Sequence, residues 1–265
     1  MSHTLVEYQS ENHIATITMN DPKTLNAFST PLKNAMMEAL NRADEDAEIR
    51  VIILQGANNN FSSGGHIGEM LENGMESEAL VAKLDFMLRE VAEISLKLRN
   101  IHKPIIAKLE GAVAGAGMNL ALTCDFRIAS ENAKFVQAFV NIGLIPDAGG
   151  IYLLNQLIGA AKTTELVMLG DKLKADDMAR LNVVNTVVSA DEIDASVQAL
   201  ATRLSNLPGK ALASMKHMIN VHAFGGLNGA LDMEVEQQNM MAVTEDFKEG
   251  ITAFMEKRKP VYQGK

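Results

Sequence analysis

Ile105-Ile106-Ala107-Lys108-Leu109-Glu110-Gly111-Ala112-Val113-Ala114-Gly115-Ala116-Gly117-Met118-Asn119 is the stretch whose reading decides the fold. Residues 105–109 have the β-branched, apolar pattern of a buried strand. A glycine-spaced turn over 111–117 follows, and residues 118–123 read as a helix. The same succession stands earlier in the chain. Residues 50–55 (Arg-Val-Ile-Ile-Leu-Gln) form a continuous apolar strand. A loop over 56–68 carries Phe61-Ser62-Ser63-Gly64-Gly65-His66-Ile67-Gly68. A long helical segment then spans about 76–100 until Lys103-Pro104 ends it. Strand, loop and helix in repeated order argue for an α/β core with parallel pairing.

Toward the N-terminus, residues 6–9 and 13–19 alternate as a hairpin around Ser10-Glu11-Asn12. Ser29-Thr30-Pro31 opens a helix whose apolar stripe is Leu32, Ala35, Met36, Ala39 and Leu40. Toward the C-terminus, short strands are expected at 125–129, 133–136 and 183–188, within text that turns mostly helical from Gly149. Leu207-Pro208-Gly209 marks a boundary, and the helices beyond it, near 210–222, 227–242 and 245–257, have no strand of their own. The expected organisation is a core over 1–205 followed by a helical, oligomer-forming region over 206–265.

The chain has 265 residues, 47% hydrophobic and 22% charged, enough to bury a substantial core. A net charge of -9 argues against nucleic acid as the main partner, because phosphate binding wants a basic surface. The local exception, Lys257-Arg258-Lys259, reads as a solvated helix end. The single cysteine, Cys124, cannot form an intramolecular disulfide and reads as inert core in a reducing compartment. Neither a basic-then-apolar leader nor an apolar run approaching the roughly 20 residues of a membrane span is present. A cytoplasmic protein without a membrane partner is the expectation. Sixteen methionines and no tryptophan suit a pliable apolar core or ligand tunnel.

Three motifs can carry chemistry. Small residues in 61–68 let backbone amides approach a ligand oxygen. Those of 111–117 lie where a helix begins and its dipole favours negative charge. Two such turns converging on one carbonyl would make an oxyanion hole, at ~3 kcal/mol per donor. Each turn taken alone reads first as ordinary α/β packing. Gly115-Ala116-Gly117-Met118-Asn119-Leu120 lacks the third small residue of a dinucleotide fingerprint, and no P-loop lysine follows. Asp147, in Asn141-Ile142-Gly143-Leu144-Ile145-Pro146-Asp147-Ala148-Gly149-Gly150, precedes a helical pattern, so its local reading is a helix N-cap. No zinc-type spacing is present.

Taken together, Lys23-Thr24-Leu25-Asn26-Ala27 and the blocks 61–70, 103–125, 133–150 and 246–259 resemble the crotonase (enoyl-CoA hydratase/isomerase) superfamily over essentially the whole chain. The resemblance implies a right-handed spiral of ββα units, with C-terminal helices that build trimers, often paired into hexamers. It puts the oxyanion amides on Gly65 and Ala116. The loop around the adenine and pantetheine arm falls on Gly64, Gly65, His66, Ile67 and Gly68. Lys257 falls where a residue can approach a neighbouring subunit's coenzyme A phosphates. The family often has aspartate where His66 stands, and a solvent-facing loop histidine is its plain reading.

The departures discriminate among activities. The two glutamates that hydratases use fall on Asn119 and Phe139, neither of which activates water or protonates an α-carbon. Asp147 falls where isomerases of the family carry their acid/base. The block 135–154 is similar to single-aspartate enoyl-thioester isomerases such as the bacterial decenoyl-acyl-carrier-protein isomerases. The resemblance thus implies double-bond migration in an acyl-CoA or acyl-carrier-protein thioester. Met118, Asn119, Phe139 and Ile142 are the expected pocket liners, in apolar surroundings that would raise the pKa of Asp147. No cofactor is expected beyond the coenzyme A or phosphopantetheine of the substrate. A hydratase, a coenzyme A-dependent aryl dehalogenase (disfavoured by the lack of tryptophan) and a non-catalytic thioester-binding protein are the alternative readings.

Overall fold

The computed structural model describes residues 4–72, 74 and 77–265. The expected start of the long helix, Glu76, lies outside these residues, as does Met1–His3. A hairpin of β1 (Val6–Glu11) and β2 (Ile14–Met19) opens the fold, turning through Asn12 and His13 at positive φ. Helix α1 (Thr30–Glu45) follows; the Ser29 hydroxyl accepts from the Leu32 amide, and Pro31 sits in the first turn, where no amide is needed.

Three successive strand–strand–helix turns come next, and they build two sheets. β3 (Val51–Gly56) lies in the large sheet; Ser62 then reaches the second layer before α2 (Ile67–Met70) and α3 (Ser77–Asn100). β4 (Ile105–Leu109) lies in the large sheet, β5 (Ala112–Ala114) in the second, and α4 (Ala116–Thr123) covers them. β6 (Phe126–Ser130) and β7 (Lys134–Val136) repeat the pattern before a 3-10 turn over Ala138–Ile142 and α5 (Gly150–Leu169). Residues Ser62, Val113 and Phe135 stack in parallel along the second layer. The chain winds as a spiral, one residue stack per turn.

β8 (Leu173–Lys174) closes the second sheet against β7, and α6 (Ala175–Arg180) leads to β9 (Thr186–Val188) at the edge of the first. The large sheet runs β1-β2-β3-β4-β6-β9, parallel apart from the hairpin. Register sets Leu54 between Ile17 and Ala107, all three without solvent exposure. Apolar residues on both faces of β3 and β4 are what a sheet covered on both sides requires.

The elements differ from expectation at their ends. β6 starts at Phe126 because the Asp125 carboxylate is taken up by the Ile105 amide at 2.9 Å and by Lys216 at 2.7 Å. β9 is shorter than expected because the Val183 and Val184 amides turn back to the Met178 carbonyl. The helix beginning near Gly149 is broken by Gly159, which has φ 75° and ψ 166°. The short α2, the 3-10 turn and β8 carry no clear periodicity and escape sequence reading.

After α7 (Ile193–Ser205), the segment 206–265 contains α8 (Gly209–Phe224), α9 (Leu227–Met241) and α10 (Glu245–Met255). Helix α9 lies along α3, and α10 packs on the 3-10 turn. Gln238 of α9 both donates to and accepts from the Ile145 backbone, tying this region to the loop that carries Asp147. Cys124 is fully buried, and burial pushes its thiol up to about 12, consistent with an inert core residue. Among the described residues, no helix is long and apolar enough to cross a membrane.

Candidate active site

Two glycine turns meet at the edge of the second sheet. Gly64 has φ 99°, and a Cβ there would stand 2.9 Å from the Ala114 carbonyl and 3.4 Å from the Ala116 nitrogen. A side chain at Gly117 would likewise strike Ser62 at 2.6 Å. Only glycine permits both approaches, which press the Phe61–Gly68 loop against the start of α4. Ala116 is the first residue of α4, so its amide is one of those a helix cannot satisfy internally. Neither the Gly65 nor the Ala116 amide donates to a backbone carbonyl among the described turns and loops.

Both residues line one small cavity of ≈ 30 Å³ together with Asp147. The other walls are Phe28 and Lys33 from around α1, Met70, and Leu84, Met87, Leu88 and Val91 of α3. The volume is near that of one water molecule. Larger hollows of ≈ 610 and ≈ 410 Å³ flank Lys216 in the middle of α8, away from this constellation.

Asp147 is not the helix cap that its position suggests. The cap of α5 is Gly149, whose carbonyl accepts from Leu153, while the chain passes through left-handed Ala148 (φ 54°) and Gly149 (φ 85°). A non-glycine residue in that conformation stores strain, about 1 kcal/mol or more. The strained pair is braced from three sides. Asn119 donates to the Asp147 carbonyl at 2.8 Å, Ser95 to the Ala148 carbonyl at 3.1 Å, and the Gly149 amide donates to Glu234 at 2.7 Å. The backbone is fixed and the carboxyl is turned inward, with Oδ1 buried and unpartnered.

Burial pushes the Asp147 carboxyl up from 3.8 to about 7; the Lys33 charge, its own backbone amide and the Asn119 side chain pull the other way. Glu234 is pushed up to about 8 by burial; the Gly149 amide opposes the shift, Asp147 adds to it and the Ile151 amide opposes it. A carboxyl that titrates near neutrality can both take and return a proton there.

Of the residues expected at the site, Gly65, Ala116 and Asp147 come together, and Gly64 holds their approach. The expected liners do not face this cavity. Asn119, fully buried, braces the Asp147 loop and accepts from Gln137 at 2.7 Å. Phe139 and Ile142 pack behind the wall in the cluster shared with Met70, Leu84, Met87 and Leu88. Met118 belongs to the main core.

His66 is half-buried and caps α2, its Nδ1 accepting from the Glu69 amide at 2.9 Å. That is a structural role rather than the solvent-facing one expected. Ile67 is half-buried and Gly68 exposed beside it, while Lys257 is exposed at the end of α10. Among the described residues, no three His, Cys, Asp or Glu side chains cluster as metal ligands.

Sequence reasoning missed Lys33, Glu90 and Glu234. Lys33 is 2% exposed. It lies three residues before Met36 and seven before Leu40, on the apolar stripe of α1, and that spacing was the available signal.

The sequence pattern described as enoyl-CoA hydratase/isomerase matches residues 9–265. Over 262 residues the chain is 35% identical to a trans-2-decenoyl-[acyl-carrier-protein] isomerase of Streptococcus mutans, covering 97% of each. A probable enoyl-CoA hydratase of Rhodobacter capsulatus is 33% identical across the whole of both chains. A solved enoyl-CoA hydratase from Mycobacterium avium subsp. paratuberculosis superposes with a TM-score of 0.83 at 30% identity, covering 98% of this chain and 99% of that one. The chain is a member of the enoyl-CoA hydratase/isomerase, or crotonase, family and has its fold.

Proposed function

We propose that the protein is an enoyl-thioester isomerase that moves a proton between C2 and C4 of an acyl-CoA or acyl-carrier-protein substrate. One observation carries the reading: Asp147 is the single carboxylate among the described residues lining the cavity that Gly65 and Ala116 also line. The thioester oxygen accepts from the Gly65 and Ala116 amides. The Asp147 carboxylate removes a proton from the α or γ carbon, and the electron pair delocalises as a dienolate onto the held oxygen. The same carboxyl then returns the proton two carbons away. Atoms and charge balance without another reactant, and the apolar walls keep water from the intermediate.

The buried position of Asp147 strengthens it as a base once ionised, which suits abstraction from carbon. Hydration asks for a second group to activate water, and the positions for it hold the loop-bracing Asn119 and the wall-packed Phe139. The named activity of the Streptococcus mutans relative supports migration, and that of the Rhodobacter capsulatus relative supports the hydratase alternative. Self-association fits the same reading, since α8 exposes Met215, Met218, Ile219 and Val221. Crotonyl-CoA and a 3-enoyl-CoA offered to equal amounts of enzyme test the choice. Rapid migration with little hydration is expected, and rapid hydration without migration overturns it.

A further inference from the structure

The wall of the cavity holds a cation as well as an acid. Lys33 points inward from α1, its Nζ 2.6 Å from Glu90 Oε2 and 3.1 Å from the Met87 carbonyl, both on α3. An ammonium has three donors, so one is left without a partner among the described residues. Across the same ≈ 30 Å³ cavity, Asp147 Oδ1 is a buried acceptor without a partner. An unpartnered donor and an unpartnered acceptor on one apolar cavity are each costly in isolation.

We propose that Lys33 is a positioning residue for the acid/base, the counter-cation that holds the Asp147 side chain as a carboxylate facing the reacting carbons. The inference rests on the reading of Asp147 as the proton carrier. Every charged group around that carboxyl bears on it. Lys33 comes from α1, and Glu90 on α3 neutralises part of its charge. Glu69 of α2 is near Lys33 but is itself held by Lys83 at 3.1 Å and by the Thr30 amide at 2.8 Å. Glu234 of α9 approaches from the far side through Gly149. Lys33 is thus the one cation among the described residues lining the cavity, and its charge favours the ionised form of Asp147.

A purely structural Lys33 would fill space and tie α1 to α3. A counter-cation has a second signature, because its removal and the removal of its own partner act in opposite directions. Lys33→Met deletes the positive charge, so the Asp147 titration midpoint moves up. Glu90→Gln deletes the negative charge that damps Lys33, so the midpoint moves down.

The test is ¹³C-carboxyl NMR titration of the full-length protein, with Asp147 assigned by its absence in Asp147→Asn and folding checked by thermal melts. We expect Lys33→Met to raise the midpoint by one pH unit or more, roughly a fivefold loss of carboxylate at pH 7 from a midpoint of about 7. The Glu90→Gln midpoint should fall below that of the wild type. The kcat–pH profile for isomerisation should follow the same shifts with KM little changed. An unmoved midpoint in Lys33→Met overturns the proposal; if that variant does not fold, an unmoved or raised midpoint in Glu90→Gln does so. The NMR readout stands whatever the reaction proves to be, so failure of the isomerase reading is seen separately in turnover.

Discussion

Replacing Asp147 with Asn should stabilise the protein in alkaline solution while removing its activity. The folded carboxyl titrates at about 7 against 3.8 when solvated, because burial disfavours its charge. A carboxyl raised in this way contributes stability below the unfolded value, and loses it as pH rises through the folded one. At pH 8 the ionised, buried Asp147 holds the folded state back by roughly 4 kcal/mol. At pH 5 the figure is roughly 1.7 kcal/mol by the same linkage. Asn does not titrate, and any fixed change in contacts cancels between the two conditions. The stability gap between Asp147→Asn and wild type should therefore grow in favour of the variant by roughly 2.5 kcal/mol from pH 5 to pH 8. Urea unfolding of both proteins at the two pH values measures it. A gap that stays constant or narrows would mean the carboxyl is solvated, and the buried-base argument would fail.

Three further outcomes follow from the geometry. Gly64→Ala places a Cβ 2.9 Å from the Ala114 carbonyl at a positive φ, so kcat/KM should fall at least about a hundredfold as the two amides part, by analogy with loss of one oxyanion donor; steady-state kinetics checks this. Glu234→Ala strands the buried Gly149 amide and should cost about 1–3 kcal/mol, with Glu234→Gln costing less, in urea unfolding at pH 6. Light scattering should show an oligomer, and charges introduced at Met218 and Ile219 of α8, both more than half exposed, should dissociate it.

Much of the scaffold was legible because its signals are local. The apolar runs at 51–54 and 105–109 became adjacent parallel strands. Gly64, Gly111 and Gly117 marked turns that had to approach another chain segment closely. Asp147 was picked out by its surroundings, although the local rule made it a cap. The rule failed because Ala148 and Gly149 turn left-handed and move the cap two residues on.

The rest was hidden by distance along the chain. Lys33 meets the Met87 carbonyl 54 residues away, and Gly149 meets Glu234 across 85. No periodicity reports such a pairing. Asn119 was expected to face substrate and instead braces the loop, because its amide reaches the Asp147 carbonyl before it reaches the cavity. A helical tail without strands read as an appendage, yet α9 supplies two of the side chains that hold the Asp147 loop.

The most direct measurement follows a 3-enoyl thioester, on coenzyme A and on acyl carrier protein, by NMR in deuterated water with wild type and Asp147→Asn. A proton-shuttling carboxylate predicts migration of the double bond to C2 with deuterium entering at C2 or C4, and loss of both in the variant. Migration and exchange undiminished in Asp147→Asn, or a 3-hydroxyacyl product in place of the isomer, would contradict the account.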